Sequence, residues 1–339
     1  MLLILFRETE MKVVGNYRVI SKMLCILMLV VMLQSCGQTR KPENNDNKKV
    51  SGNISISGAF ALYPLTVRWS EEYRKAYPDV RIDISAGGAG KGMADVLSDM
   101  VDLAMFSRGI SKAELDKGAW GIAVTKDAVL PTINASNPFL SHLKSAGFTK
   151  DLFVKIFIDR SLKHWNECPG ITGNVAPIHV FTRSDACGAA QMWGEFLGKD
   201  QENLQGIGVF GDPGMADAVK SDAVSLGFNN VVYAYDMRTR RKYTGIEIIP
   251  LDVNNNGKID QEEDFYDSLD QLMEAIADGR YPSPPARDLY LVSKGKPENK
   301  VIIHFIHWIL TEGQQFVAEA GYVRLTPEKI SQELEKINM

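Results

Sequence analysis

A chain of 339 residues with 45% hydrophobic and 24% charged residues has the composition of an ordinary globular protein, large enough for two domains. Its formal charge of −4 argues against a nucleic-acid partner. After the first forty residues no stretch is long and apolar enough to span a membrane as a helix.

The chain opens on a secretory pattern. Residues 23–33 are an apolar run preceded by Arg18 and Lys22, the layout of a signal peptide. The run ends in Leu33-Gln34-Ser35-Cys36-Gly37, which resembles a bacterial lipoprotein box in which Cys36 is acylated and becomes the first mature residue. It is shorter than the ~20 residues a retained transmembrane anchor needs. Residues 1–35 are therefore expected to be a signal peptide, with Met11 or Met23 as alternative starts because acidic residues before them do not suit a signal. Residues 36–51 are expected to be the lipidated Cys36 and a flexible tether, since they are polar and lack apolar periodicity. Cys25 and Cys36 belong to this leader, so only Cys168 and Cys187 remain in the body. A disulfide between them is permitted by an extracytoplasmic address and not required by it.

The body is organised around residues 54–110. A short alternating strand at 54–58 runs into a turn, and 63–77 carries Leu65, Trp69, Tyr73 and Ala76 at helical spacing, with Pro64 in the first turn. A second strand at 80–85 leads to Gly87-Gly88-Ala89-Gly90-Lys91-Gly92 and a helix through Met100, and a third strand at 101–106 ends at Ser107-Arg108. Each strand enters a small-residue turn at a helix start, where unpaired N–H groups and the helix dipole favour an anion. A helical stretch is expected after Arg108, then strands at 121–124 and 128–133, with a polar crossing at 134–139. A helix at 152–157 and a strand at 177–182 lead to Arg183, and a helix follows at 188–197. Strands are then expected at 230–235, 245–250 and 288–292, with helices at 300–319 and 326–337.

The wording Ser-Gly-Ala-Phe-Ala-Leu-Tyr-Pro-Leu (57–65), Tyr-Pro-Asp-Val-Arg-Ile (77–82), Gly-Gly-Ala-Gly-Lys-Gly (87–92) and Val-Asp-Leu-Ala-Met-Phe-Ser-Arg (101–108), followed by Arg183-Ser184-Asp185-Ala186-Cys187-Gly188, resembles the phosphate-binding proteins of bacterial ABC transporters. The resemblance covers nearly everything after the leader. It implies an α/β protein with the two-domain, type II periplasmic-binding-protein fold, hinged around an interdomain cleft. Domain 1 is then 52–133 with 281–339, and domain 2 is 134–280. It further implies capture of phosphate or a related anion for an ABC transporter permease, at the cell envelope, lipid-anchored and facing the periplasm or the cell exterior. A monomer is expected.

The ligand residues depart from the family's pattern. Where its members present Ser or Thr hydroxyls after the first strand, this chain has Ala59 and Phe60; the Gly-rich turn has Ala89 in place of Ser; and Cys187-Gly188-Ala189 stands where Ser-Gly-Thr is usual. Backbone donors at Phe60, Ala89, Gly188 and Ala189 remain. Arg183 has a fork suited to a tetrahedral oxyanion, with Asp185 placed to orient it. Arg108 occupies or adjoins the place where some relatives put a carboxylate, and Lys91 adds a third cation. The alternatives are a different oxyanion or organic anion in the same fold, or an interaction lipoprotein with a vestigial cleft.

Residues 252–263 form a separate motif. Asp252, Asn254 and Asn256 supply oxygens at positions 1, 3 and 5, Gly257 the turn at 6, Lys258 a carbonyl at 7, Asp260 an acid at 9 and Glu263 the final carboxylate at 12. This is the spacing with which one loop surrounds a calcium ion. The bland alternative is an Asn-Gly surface turn. With a strand before it and a helix expected at 263–277, it resembles isolated calcium loops, binding weakly (~10⁻⁴–10⁻³ M) in a structural role. No catalytic cofactor and no enzymatic activity are expected. His142, His164, His179, His304 and His307 form no metal motif, and Cys187 has no assignable base even if a helix start lowers its pKa.

Overall fold

The structure is a computed structural model that describes residues 50–173 and 175–338. The expected signal peptide, Cys36 and nearly all of the tether lie outside the described residues.

The body begins with β1 (Gly52–Gly58), α1 (Tyr63–Ala76), β2 (Val80–Ala86), α2 (Ala89–Leu97) and β3 (Leu103–Phe106). Ile54 and Ile56 put one face of β1 into the core, and α1 buries Leu65, Trp69 and Tyr73 beside them. β1 lies between β2 and β3 and is parallel to both, so all three strands release the chain at the same edge. That shared edge places the starts of α1 and α2 side by side.

The strand β4 (Ala119–Asn134) replaces the two strands expected at 121–124 and 128–133. The polar Thr125-Lys126-Asp127 between the apolar runs does not break it, because each residue has a partner there. The Thr125 hydroxyl donates to the Val323 carbonyl at 2.8 Å, Lys126 exchanges backbone bonds with Val323, and Asp127 faces Arg287. Residues 119–128 of β4 pair with β9 (Ala286–Lys294), and 129–133 pair with β7 (Ser225–Asn230). The sheet then runs β2-β1-β3-β9-β4-β7-β5-β6, ending in β5 (His179–Arg183) and β6 (Ile207–Val209), and β8 (Ile246–Ile248) pairs with β4 off this path.

Two hydrophobic cores flank this sheet. One gathers Trp69, Tyr73, Phe106, Phe305 and Tyr322; the other gathers Phe153, Trp165, Trp193 and Phe228. α5 (Lys150–Phe157) and α6 (Gly188–Phe196) belong to the second, where Trp193 stacks on Phe228 with centroids 6.0 Å apart.

Several elements differ from expectation. The strand expected at 230–235 ends at Asn230, and Val231–Ala234 form a helical turn, α8. Asn230 is the N-cap of that turn, and its side chain bonds Asp212 and Arg287. The helix expected at 300–319 stops as α10 (Lys300–Leu310), where the Thr311 hydroxyl bonds back to the His307 carbonyl at 2.8 Å. A 3₁₀ turn, Glu312–Phe316, follows and gives the Gly313 carbonyl to Trp69 Nε1 at 2.8 Å. The helix expected from 263 begins only at Leu269, as α9 (Leu269–Asp278), capped by Ser268. The helices α3 (Lys112–Asp116) and α11 (Pro327–Asn338) fall where helical stretches are expected, whereas α4 (Leu140–Ala146) and α7 (Gly211–Ser221) carry no clear sequence signal.

Candidate functional site

Three chain reversals meet at one place. Gly58 ends β1 at φ +129, and Gly88 precedes α2 at φ +91, backbone angles that favour glycine. The N–H groups of Gly87 and Gly88 both donate to the Gly58 carbonyl, which fixes the start of α2 against the end of β1. On the other side β5 delivers Arg183, Asp185 follows, and Cys187 caps α6, with its sulfur accepting from the Ala190 N–H at 3.4 Å. The two sides touch: Gly90 N–H donates to the Ala186 carbonyl at 3.0 Å, Gly188 packs on Ser107, and a Cβ on Gly88 would lie 2.9 Å from Asp185 Oδ2. The Phe60 ring lies 6.0 Å from the Arg183 guanidinium, and Tyr233 donates to the Phe60 carbonyl at 3.2 Å.

Among the described residues, no hydrogen bond uses the N–H of Phe60, Ala89, Gly188 or Ala189. All except Phe60 are buried, and Phe60 is half-buried. Buried backbone donors are nearly always paired. Four left without acceptors, one in the turn after β1 and three at the starts of α2 and α6, are free to take an acceptor, as helix starts do with anions. Ala59, by contrast, spends its N–H on the Met105 carbonyl at 2.8 Å.

The three cations expected here are all held by carboxylates. Arg183, whose side chain is 0% exposed, donates through Nε and Nη2 to Asp185 at 2.8 and 2.7 Å and through Nη1 to Asp212 at 2.8 Å. Burial opposes its charge, but Asp212 and Asp185 outweigh that and raise its pKa. Arg108 forms a two-pronged pair with Glu114 at 2.7 and 3.0 Å and lies over the Phe106 ring. Lys91 turns along α2 to Asp95, which also accepts from Ser57 at 2.7 Å. A cavity of about 460 Å³ adjoins the site, bordered by Gly90, Arg108, Cys187, Gln191 and Glu202.

Sequence reasoning missed Ser107, Asp212 and Asn230. Ser107 is a buried hydroxyl-bearing residue at the end of β3, against Gly188, where no hydroxyl was expected. Asp212 lies in Gly211-Asp212-Pro213-Gly214, which reads as a turn and instead starts α7. Nothing in the sequence pairs it with Arg183.

The cysteines Cys168 and Cys187 are both free and buried. Burial pushes the Cys187 thiol up to about 12, which Arg183 only partly opposes, so it is not a nucleophile lowered by its helix start. His304 packs between Tyr73 and Tyr77, its Nδ1 2.9 Å from the Tyr73 hydroxyl.

In the loop at 252–263, Gly257 takes φ +79 and Asn255 φ +60. Asp252, 3% exposed, accepts from the N–H of Asn256 and of Gly257 at 3.1 and 2.9 Å. Glu263, 8% exposed, accepts from Val253, Asn254 and Asp260 at 2.8 to 3.2 Å. Asp260 faces elsewhere, accepting from the Asn254 and Asn256 side chains and pairing with Lys258 at 2.6 Å.

Strands that release helix starts into one anion-facing junction, flanked by two cores, define a binding protein of the mixed α/β, type II periplasmic kind. Residues 44–312 match the PBP superfamily domain, and the chain belongs to that family. It is 24% identical over 329 residues to the phosphate-binding protein PstS of Xylella fastidiosa, covering 88% of each chain. It is 27% identical over 317 residues to PstS of Pseudomonas aeruginosa, covering 86% of this chain and 88% of that one. A putative phosphate ABC transporter substrate-binding protein with bound phosphate from Clostridium perfringens superposes with a TM-score of 0.66 at 21% identity, over 81% of this chain and 100% of that one. An ABC-type phosphate transport receptor from Vibrio cholerae gives 0.58 at 16% identity, over 80% of this chain and 100% of that one.

Proposed function

We propose that this protein captures phosphate, without chemical change, in the junction between its two cores and delivers it to a membrane permease for uptake. The observation that carries this reading is the set of four unpaired N–H groups, of Phe60, Ala89, Gly188 and Ala189, around Arg183. The names of the relatives agree with it. Backbone donors take over the role of the hydroxyls that Ala59, Ala89 and Ala189 lack, and Ser107 supplies one within the same junction. The cores act as domains 52–133 with 281–339 and 134–280, hinged where β4 leaves β9 for β7. Closure follows from contacts that only the closed form makes, such as Gly90 to Ala186. The address is the cell envelope, outside the cytoplasm, with the chain held by lipid on Cys36.

The test is calorimetric titration of protein unfolded and refolded to strip bound ligand, first with phosphate and then with sulfate. Micromolar or tighter phosphate binding is expected. A folded protein that gives no heat with phosphate overturns the reading.

The loop at 252–263 is proposed as a weak structural calcium site. Buried Asp252 and Glu263 and the turn at Gly257 support it, and the ion would draw Asp260 away from Lys258.

A further inference from the structure

The junction is crowded by aromatic rings in one direction and has room in another. The Phe60 ring meets Phe210 edge-on with centroids 6.1 Å apart, and a Cβ on Gly211 would come within 3.3 Å of it. Neither ring borders the cavity of about 460 Å³, which opens between the two sides of the junction. Gly90 and Arg108 line it from one side, and Cys187, Glu195, Gln201 and Glu202 from the other. Gly90 follows Ala89 and Cys187 precedes Gly188, two of the residues whose N–H groups lack acceptors. Ser107 connects the two places. It is 2% exposed, lies against Gly188 and precedes Arg108, and among the described residues no hydrogen bond uses its hydroxyl. A buried hydroxyl is ordinarily paired, so this one adds a donor to the free N–H groups beside it.

The cavity falls in the size range of pockets for organic ligands, ~300–1,000 Å³, and is larger than a bare phosphate ion fills. Its uncompensated charge is of one sign. Arg108 spends both terminal nitrogens on Glu114, at 3.0 and 2.7 Å. Glu195 accepts from a neutral donor, the Gln191 amide at 3.0 Å, and Glu202 is exposed. Neither glutamate has a cationic partner among the described residues. Gln201 accepts the Cys187 N–H through its side-chain oxygen at 3.2 Å, which leaves its amide nitrogen free to donate. A concave wall with two unpaired carboxylates concentrates positive charge. The N–H groups next to it favour negative charge. One ligand satisfies both only by carrying both.

We propose that the cavity is a subsite for a positively charged arm on the bound anion, so that the junction takes, besides phosphate itself, phosphate monoesters whose substituent ends in an ammonium group. The phosphoryl end meets the free N–H groups and the Ser107 hydroxyl. Glu195 and Glu202 face the ammonium, and Gln201 donates to the ester oxygen between them. This rests on the anion-binding reading above.

The experiment is calorimetry of the full chain, refolded to strip bound ligand, with inorganic phosphate, 2-aminoethyl phosphate and propyl phosphate. The two esters have arms of the same length and differ in the charge at the end. The wild type should bind 2-aminoethyl phosphate about tenfold more tightly than propyl phosphate. In the double variant Glu195→Gln, Glu202→Gln, with its fold checked by circular dichroism, that ratio should shrink to about twofold or less. Phosphate binding with no preference between the esters, or with neither ester bound, overturns the proposal and leaves the anion reading standing. A ratio unchanged in the folded double variant also overturns it; if that variant does not fold, the wild-type ratio decides. Heat with 2-aminoethyl phosphate but none with inorganic phosphate would uphold the subsite and overturn capture of free phosphate. No heat with any of the three overturns the anion reading itself, and this proposal with it.

Discussion

The junction around Arg183 and the loop at 252–263 are opposite ways of keeping a polar site. In the junction, N–H groups of Phe60, Ala89, Gly188 and Ala189 stand without acceptors among the described residues, while the charges beside them are paired. In the loop, Asp252 and Glu263 already accept from backbone N–H groups of the same loop. A buried donor without a partner costs about 1–3 kcal/mol, so the junction is improved by a ligand. The loop is satisfied as it stands and gains little from an ion. The first site should therefore depend strongly on its ligand and the second weakly.

The largest expected effect is at Arg183. Arg183→Ala should remove measurable phosphate binding, and it should also destabilise the fold. Its loss leaves Asp185 and Asp212 buried without their cation, a situation that costs about 3–5 kcal/mol. Urea denaturation reads the second effect and calorimetry the first; unchanged phosphate affinity would show that the anion lies elsewhere. Gly188→Ala should come next. Its Cβ would collide with the Ser107 backbone, a contact between the two sides of the junction, while the Gly188 N–H survives. Phosphate affinity should drop by roughly tenfold to a hundredfold, about 1.4–2.8 kcal/mol. The melting temperature of the ligand-free protein should change little. A loss of stability as large as the loss of affinity would mean that the contact belongs to the fold rather than to closure.

These effects also separate what the sequence reveals from what it hides. The helix starts at Ala89 and Gly188 are legible because a strand, a small-residue turn and an amphipathic helix are adjacent in the chain. Arg183 and Asp185 are legible for the same reason, two residues apart on one turn. The partners that decide the electrostatics are not, because Asp212 reaches Arg183 through space from 29 positions along the chain, and Asn230, 18 positions beyond Asp212, bonds Asp212. Lys91 and Arg108 read as free cations only because a sequence does not show that Asp95 and Glu114 lie one helical turn or one capping box away in the right rotamers. Strand β4 is hidden by three polar residues whose partners, Val323 and Arg287, come from the far end of the chain.

On the loop's side of the comparison, millimolar calcium should raise the melting temperature by only about 1–3 °C, since tenfold excess over a weak dissociation constant is worth about 1.4 kcal/mol. Joint replacement of Asp252 and Glu263 by Asn and Gln should abolish that response. A wild-type melting temperature untouched by both calcium and chelator would reduce the loop to a turn.

The smallest effect should come from Asp260. The Lys258 ammonium, helped by the Asn254 and Asn256 amides, lowers its carboxyl to about 2. An unfolded aspartate titrates near 3.9, so the folded form holds the proton less tightly. The stability this provides is present above about pH 4 and is lost as the pH falls through about 2. Asp260 faces solvent, so its pair with Lys258 is screened and the contribution is small. Melting curves of Asp260→Asn against the wild type should differ slightly at neutral pH and low salt, and the gap should close between about pH 4 and 2. High salt should also close it. A gap that survives both acid and salt would come from the Asn254 and Asn256 hydrogen bonds rather than from charge, and the calcium response would then not require Lys258 to move.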